Sequence, residues 1–233
     1  MSGERSELVL ARWVAASSAS SPAQPLFMLD RAGAPSAAPH ATLVLGKGGL
    51  GPARARLRTG SRQVLLADAA LGDVSVFSAA IVEFGAARIG AWLPARRMAV
   101  SWALDAQSNG DFRCMVPSHP EARWELLSSD RQGTGIEVGG RIEKLVQLGV
   151  TTILVSVDIQ DDRDLDLCAG LMERFGQRLW FSALDAPDAD FAPWVEFGQV
   201  RRLVLPDTPA AGGLAERLLA RFAAPRATRE LAA

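Results

Sequence analysis

From Thr42 onward, short apolar runs alternate with segments whose apolar positions recur every three or four residues, the pattern of successive βα units around a parallel sheet. The runs TLVLG (42–46), QVLLAD (63–68), MAVSWALD (98–105), TTILVSVD (151–158), RLWFSAL (178–184) and VRRLVLPD (200–207) read as strands. PARARLRTG and residues 74–84, 136–148, 165–175, 190–197 and 213–222 read as helices, several of them closed by a glycine such as Gly60, Gly85, Gly149 or Gly176. ARIGAWLPARR, just ahead of residue 98, reads as an extra strand or an edge, and a long polar excursion separates residue 105 from the helix at 136. Six such units correspond to six of the eight in a (β/α)8, TIM-like barrel.

The first 41 residues hold less. LVLARWVAA (8–16) suits a helix and PLFMLD (25–30) a strand, but residues 33–40 are too rich in Pro, Ala and Ser for a full crossover helix. The pattern therefore predicts a single α/β domain: a barrel over 42–233, shortened or incomplete at a variable segment, 1–41. An unclosed parallel sheet exposes edge N–H and C=O groups, which predicts a homo- or hetero-oligomer covering that edge. Refolding of residues 8–30 into the gap is the competing solution.

Composition narrows the partners. A formal net charge of −1 gives no electrostatic case for nucleic acid or an anionic membrane, and no uncharged apolar run approaches 18 residues. With no basic leader and two cysteines, Cys114 and Cys168, outside any Cys-x-x-Cys, the expected setting is reducing and cytoplasmic. Two histidines, His40 and His119, offer few ligands to zinc, so no metal and no cofactor is assigned. Only two of the 25 basic residues are lysine, a bias that fits a GC-rich bacterial genome.

The candidate chemistry lies in the loops after the strands. Gly46-Lys47-Gly48-Gly49 after the first of the six runs is either a phosphate cradle, built from close backbone N–H groups and a helix N-terminus, or a plain strand-to-helix turn. It lacks Walker spacing and the full dinucleotide fingerprint. Asp158, Asp161, Asp162, Asp164 and Asp166 crowd the loop after 151–158. A solvated loop with a helix cap is favoured there over a cation site, with Asp158 singled out at the strand end. Trp102, Trp124, Trp180 and Trp194 are read as packing residues, and both cysteines as inert thiols.

The motif order resembles the histidine-biosynthesis barrels, the cyclase subunit of imidazole glycerol phosphate synthase and the related ribonucleotide isomerase, over residues 42–207. TLVLGKGGLGPARARLRTGSRQVLLADAAL is similar to their third and fourth units. EFGAARIGAW with MAVSWALDAQ is similar to their fifth, and GTGIEVGGRIEKLVQLGVTTILVSVD to their sixth. The runs SWALDAQSNGDFRCMVPS and DLDLCAGLMERFGQRLWF also resemble barrel paralogues carried by methylotrophic bacteria among genes for tetrahydromethanopterin-linked one-carbon metabolism.

The resemblance implies acid–base carboxylates at the ends of strands one and five: Asp105 matches the second, the only candidate for the first is Asp30, which reads as the end of either strand one or strand two, and Asp158 is a further candidate. It implies one phosphate grip at Gly46, Lys47, Gly48 and Gly49 with Ala69. A second, Ser-Gly-Gly after strand seven, is replaced by Ser182-Ala183-Leu184, and strand eight ends in Pro206-Asp207. The function implied is an isomerase or lyase acting on a phosphorylated sugar or aminoheterocycle; the alternative is a non-catalytic partner subunit.

Overall fold

The computed structural model describes residues 7–14, 25–30, 41–99, 102–108, 112–117, 122–128 and 130–223, with the backbone alone for 102–108 and 112–117. β1 (Val9–Trp13), β2 (Leu26–Leu29) and β3 (Ala41–Leu45) come first, and α1 (Leu50–Arg58) leads into β4 (Gln63–Leu66). α2 (Asp68–Leu71) and α3 (Ser75–Phe84) precede β5 (Ile89–Arg97). Two antiparallel pairs follow: β6 (Trp102–Ser108) with β7 (Phe112–Pro117), and β8 (Trp124–Leu127) with β9 (Gly133–Glu137). Then come α4 (Val138–Gln147), β10 (Ile153–Ser156), α5 (Asp162–Phe175), β11 (Leu179–Ser182), α6 (Ala192–Glu196), β12 (Arg202–Leu205) and α7 (Ala211–Ala223).

β1 to β5 and β10 to β12 pair in parallel in chain order. β12 returns to β1 and β5 meets β10, so the eight strands form a closed barrel with helices outside. Closure corrects the open edge expected from sequence, because residues before 41 supply two complete strands, β1 and β2. In place of the helix expected over 8–16, Val9–Trp13 forms β1; in a short, largely apolar run a period of two is hard to tell from 3.6. The connections 14–25 and 30–40, twelve and eleven residues, sit at the lower limit for joining parallel strands. The shortening lies in these connections and leaves the sheet whole.

Barrel strand five is β5, the run that reads in sequence as an extra strand or an edge, whereas residues 102–108 belong to the separate β6–β7 hairpin. Gly90 and Pro94 conceal β5, since both weaken a strand pattern. In the fold Gly90 is required. A Cβ there would run into the Leu65 side chain and stand 2.5 Å from the Thr152 carbonyl oxygen.

Alternation along each strand sorts two cores. Ala11, Phe27, Val44, Leu65, Leu154, Trp180 and Val204, with the partly buried Trp92, give one lumen residue from each of the eight strands. Phe27 and Trp180 meet at 5.4 Å between ring centroids. The opposite faces, among them Leu43, Val64, Ile89, Ile153, Phe181 and Leu203, pack under Phe77, Ile142, Leu145, Cys168 and Trp194 of the helices. Three of the four tryptophans read as packing residues, Trp124, Trp180 and Trp194, are thus buried; the Trp102 side chain lies outside the described residues. No helix among the described residues is long and apolar enough to cross a membrane.

Gly90→Ala is expected to lower unfolding stability by about 1–3 kcal/mol, the usual cost of overpacking. Gly51→Ala on α1, whose added methyl meets nothing within 4 Å, is expected to leave stability unchanged or raised and serves as the comparison in urea denaturation.

Candidate functional site at the barrel mouth

Barrel closure brings the strand ends and the turns after them to one face. At the β3 turn, Gly48 has φ +93°, and a Cβ there would lie 2.9 Å from Pro52 Cγ, so only glycine fits. Its N–H donates to the Asp68 carboxylate at 3.2 Å. Asp68 opens α2 and is followed by the buried Ala69, so the fold does bring Gly46 to Gly49 and Ala69 together. A carboxylate of the chain itself stands at their meeting point. Lys47 is likewise engaged, reaching Asp130 at 3.3 Å with both side chains exposed.

Asp158 follows β10 as expected, and its carboxylate is surrounded by backbone donors. The N–H groups of Leu184, Asp185 and Ala186 donate to it at 2.9–3.2 Å, fixing the turn after β11. Three successive amides converging on one acid form an anion nest, filled here from within. Below it, the Trp92 indole N–H donates to Ser156 Oγ at 2.8 Å, and Ser156 and Ser182 share a hydrogen bond of 2.7 Å between buried hydroxyls.

Asp30 follows β2, the second of the two placements open to it, and accepts two hydrogen bonds from the Arg56 guanidinium on α1, at 2.6 and 3.1 Å. Asp105 lies on β6, opposite Cys114, in the antiparallel hairpin and not at the end of a barrel strand. The fold therefore does not gather Asp30, Asp105 and Asp158 as the ends of neighbouring barrel strands. The side chains of Asp105 and Cys114, and both histidines, lie outside the described residues. Cys168 is buried on α5. Burial, and then the Asp164 charge, push its thiol pKa up, so it stays protonated and inert.

A cavity of about 360 Å³ opens where β1, β11 and β12 end. Trp13, Ala183, Leu184, Ala186, Pro187, Val204 and Pro206 give it apolar walls, and Asp185 and Asp207 bring carboxylates to it. Asp185 pairs with Arg131 at 3.1 Å. Among the described residues no group of three His, Cys, Asp or Glu could hold a metal ion.

One network escaped the sequence reading. Arg97, at the far end of β5, reaches both Asp161, which caps α5 through the Arg163 N–H, and Asp164. Asp164 is fully buried and also accepts from the Trp124 indole at 2.8 Å and the Gln160 N–H at 2.8 Å. These contacts tie the β5 extension and β8 to α5. The signal available was an acid at the third position of a helix whose first residues are all polar, a spacing that ordinarily marks only a cap. The Arg97 hydrogen bond is the main cause that holds the Asp161 carboxyl at a pKa of about 2.

No protein-family model and no curated protein matches the chain.

Two outcomes are expected at this face. Asp158→Ala should speed amide exchange at 184–186 selectively and lower stability by about 2 kcal/mol, the scale of hydrogen bonds to a charged group. Because the folded pKa of Asp161 is depressed, its contribution is present above about pH 4 and is lost as the pH falls towards 2. The stability gap between wild type and Asp161→Asn, measured by urea denaturation, should therefore be largest near neutrality and close at low pH.

Proposed function

We propose that the barrel is a small-molecule enzyme of isomerase or lyase type whose ligand is a planar aminoheterocycle held at the C-terminal mouth. The observation that carries this reading is the makeup of the cavity. The Trp13 indole, Val204 and two prolines offer a flat apolar surface, and Asp185 and Asp207 offer acceptors for amino N–H groups. A phosphorylated sugar is the weaker ligand reading. The Gly48 amide and the amides of 184–186 already hold Asp68 and Asp158, so a phosphate entering either turn meets a carboxylate at its donors. Kinship with the histidine-biosynthesis barrels, a place in one-carbon metabolism and a cytoplasmic setting rest on the sequence alone and belong to the same proposal.

The second reading, a non-catalytic partner subunit, draws support from Asp30 and Asp158, whose carboxylates are committed to Arg56 and to backbone amides. It does not draw support from an open sheet edge, since the barrel closes within one chain.

NMR separates the readings, with saturation transfer to 2-aminopyrimidine and phosphorus line broadening of inorganic phosphate as the two signals. Saturation transfer to 2-aminopyrimidine that disappears in Trp13→Leu, with no broadening of phosphate, is expected. Phosphate broadening that Gly48→Val abolishes, without transfer to 2-aminopyrimidine, would restore the phosphorylated ligand. A silent protein that purifies with a second chain would favour the partner subunit.

A further inference from the structure

Two adjacent residues in the turn between β8 and β9 pair with opposite sides of the barrel mouth. Asp130 takes Lys47 of the β3 turn at 3.3 Å, and Arg131 reaches Asp185 of the β11 turn at 3.1 Å. Around the ring, β3 and β11 stand four strands apart and so face each other across the axis. β8 is paired to the outer end of β5, which lies two strands from each. The turn thus straddles the mouth on the side of β4, β5 and β10. The cavity opens on the other side, with Asp185 at the boundary.

The turn is built to present these side chains. Arg131 has φ 62°, a left-handed conformation uncommon for a residue with a Cβ. Its N–H donates to the Ser128 carbonyl at 2.9 Å, the Ser128 N–H to the Gln132 carbonyl at 2.8 Å, and the Gln132 N–H to Ser128 Oγ at 3.2 Å. The two ion pairs at its tip are of a different kind. Lys47 and Asp130 are 73% and 77% exposed, Arg131 and Asp185 are 46% and 66% exposed, and pairs this open to water are weak and screened by salt.

We propose that Arg131 is a specificity-determining residue of the mouth: it is the resting counter-ion of Asp185, and an amino or amidinium group entering the cavity takes its place, freeing one end of the strap. The proposal rests on the aminoheterocycle reading of the cavity. The exchange keeps a cation on Asp185 and returns to water an Arg131 side chain already half exposed. An anionic ligand gains nothing from it, because releasing Arg131 would leave Asp185 facing a like charge.

Benzamidine, a planar amidinium, is the probe. Its affinity is measured by calorimetry for wild type, Arg131→Gln and Asp185→Asn, and amide exchange is followed over 130–132. Arg131→Gln is expected to bind up to about fivefold more tightly, the range set by losing one exposed ion-pair competitor, and Asp185→Asn to bind more weakly. Saturating benzamidine should speed exchange at 130–132 in wild type and leave it unchanged in Arg131→Gln, where the strap is already released. Binding to wild type with equal or weaker binding to Arg131→Gln, or with unaltered exchange at 130–132, would overturn the role of Arg131 while leaving the cavity reading intact. Absence of benzamidine binding in both proteins would overturn the cavity reading and the exchange with it.

Discussion

The pairing of β5 with β10, Ala91 to Pro94 against Ile153 to Ser156, joins the two ends of the parallel sheet, and every other feature of the molecule presupposes it. A parallel sheet is buried on both faces, so an open one would leave two edges of unpaired backbone and half its apolar side chains in water. Once joined, each strand turns at least one residue into the lumen. Those residues, led by Phe27, Trp180 and Trp92, fill it as a packed core. Gly90 sits at this seam because the Thr152 carbonyl and Leu65 occupy the space a side chain would need.

With the lumen filled, the open space lies at the mouth, and there the dominant fact is how the backbone donors are satisfied. A turn whose amides point at one place must give them an acceptor, from solvent, from a ligand or from the chain. Here Asp158 serves three amides of the β11 turn and Asp68 serves Gly48. Such internal acceptors fix both turns, and the β11 turn is one wall of the cavity.

The excursion between β5 and α4 adds a graded set of attachments. At its base Arg97 binds the buried Asp164, which also holds Trp124, so β8 is fixed to α5 by contacts shielded from solvent. At its tip Asp130 and Arg131 make exposed pairs that salt and competing groups can break. A firm root and a weakly held tip suit an element that remains folded while its end changes partners.

The apolar runs at 42–46, 63–68, 151–158, 178–184 and 200–207 determined five barrel strands by themselves, because a strand buried on both faces must be apolar throughout and helices of period 3.6 separated them. Asp158 at the end of its strand and the glycine turn at Gly48 were legible for the same local reason. β5 was legible only as an extra strand or an edge, since Gly90 and Pro94 weaken an isolated strand pattern and the space that requires Gly90 is set by Leu65 and Thr152 in the fold. β1 was not, because alternation in Val9–Trp13 acquires meaning only against neighbours on both sides. Tertiary structure alone decided that Asp30 belongs to Arg56, that Asp158 serves the β11 turn, that Asp105 sits on a hairpin, and that Asp130 and Arg131 reach opposite sides of the mouth. The Asp105 hairpin closes locally against Cys114, but each of the others depends on a residue 26 to 83 positions away.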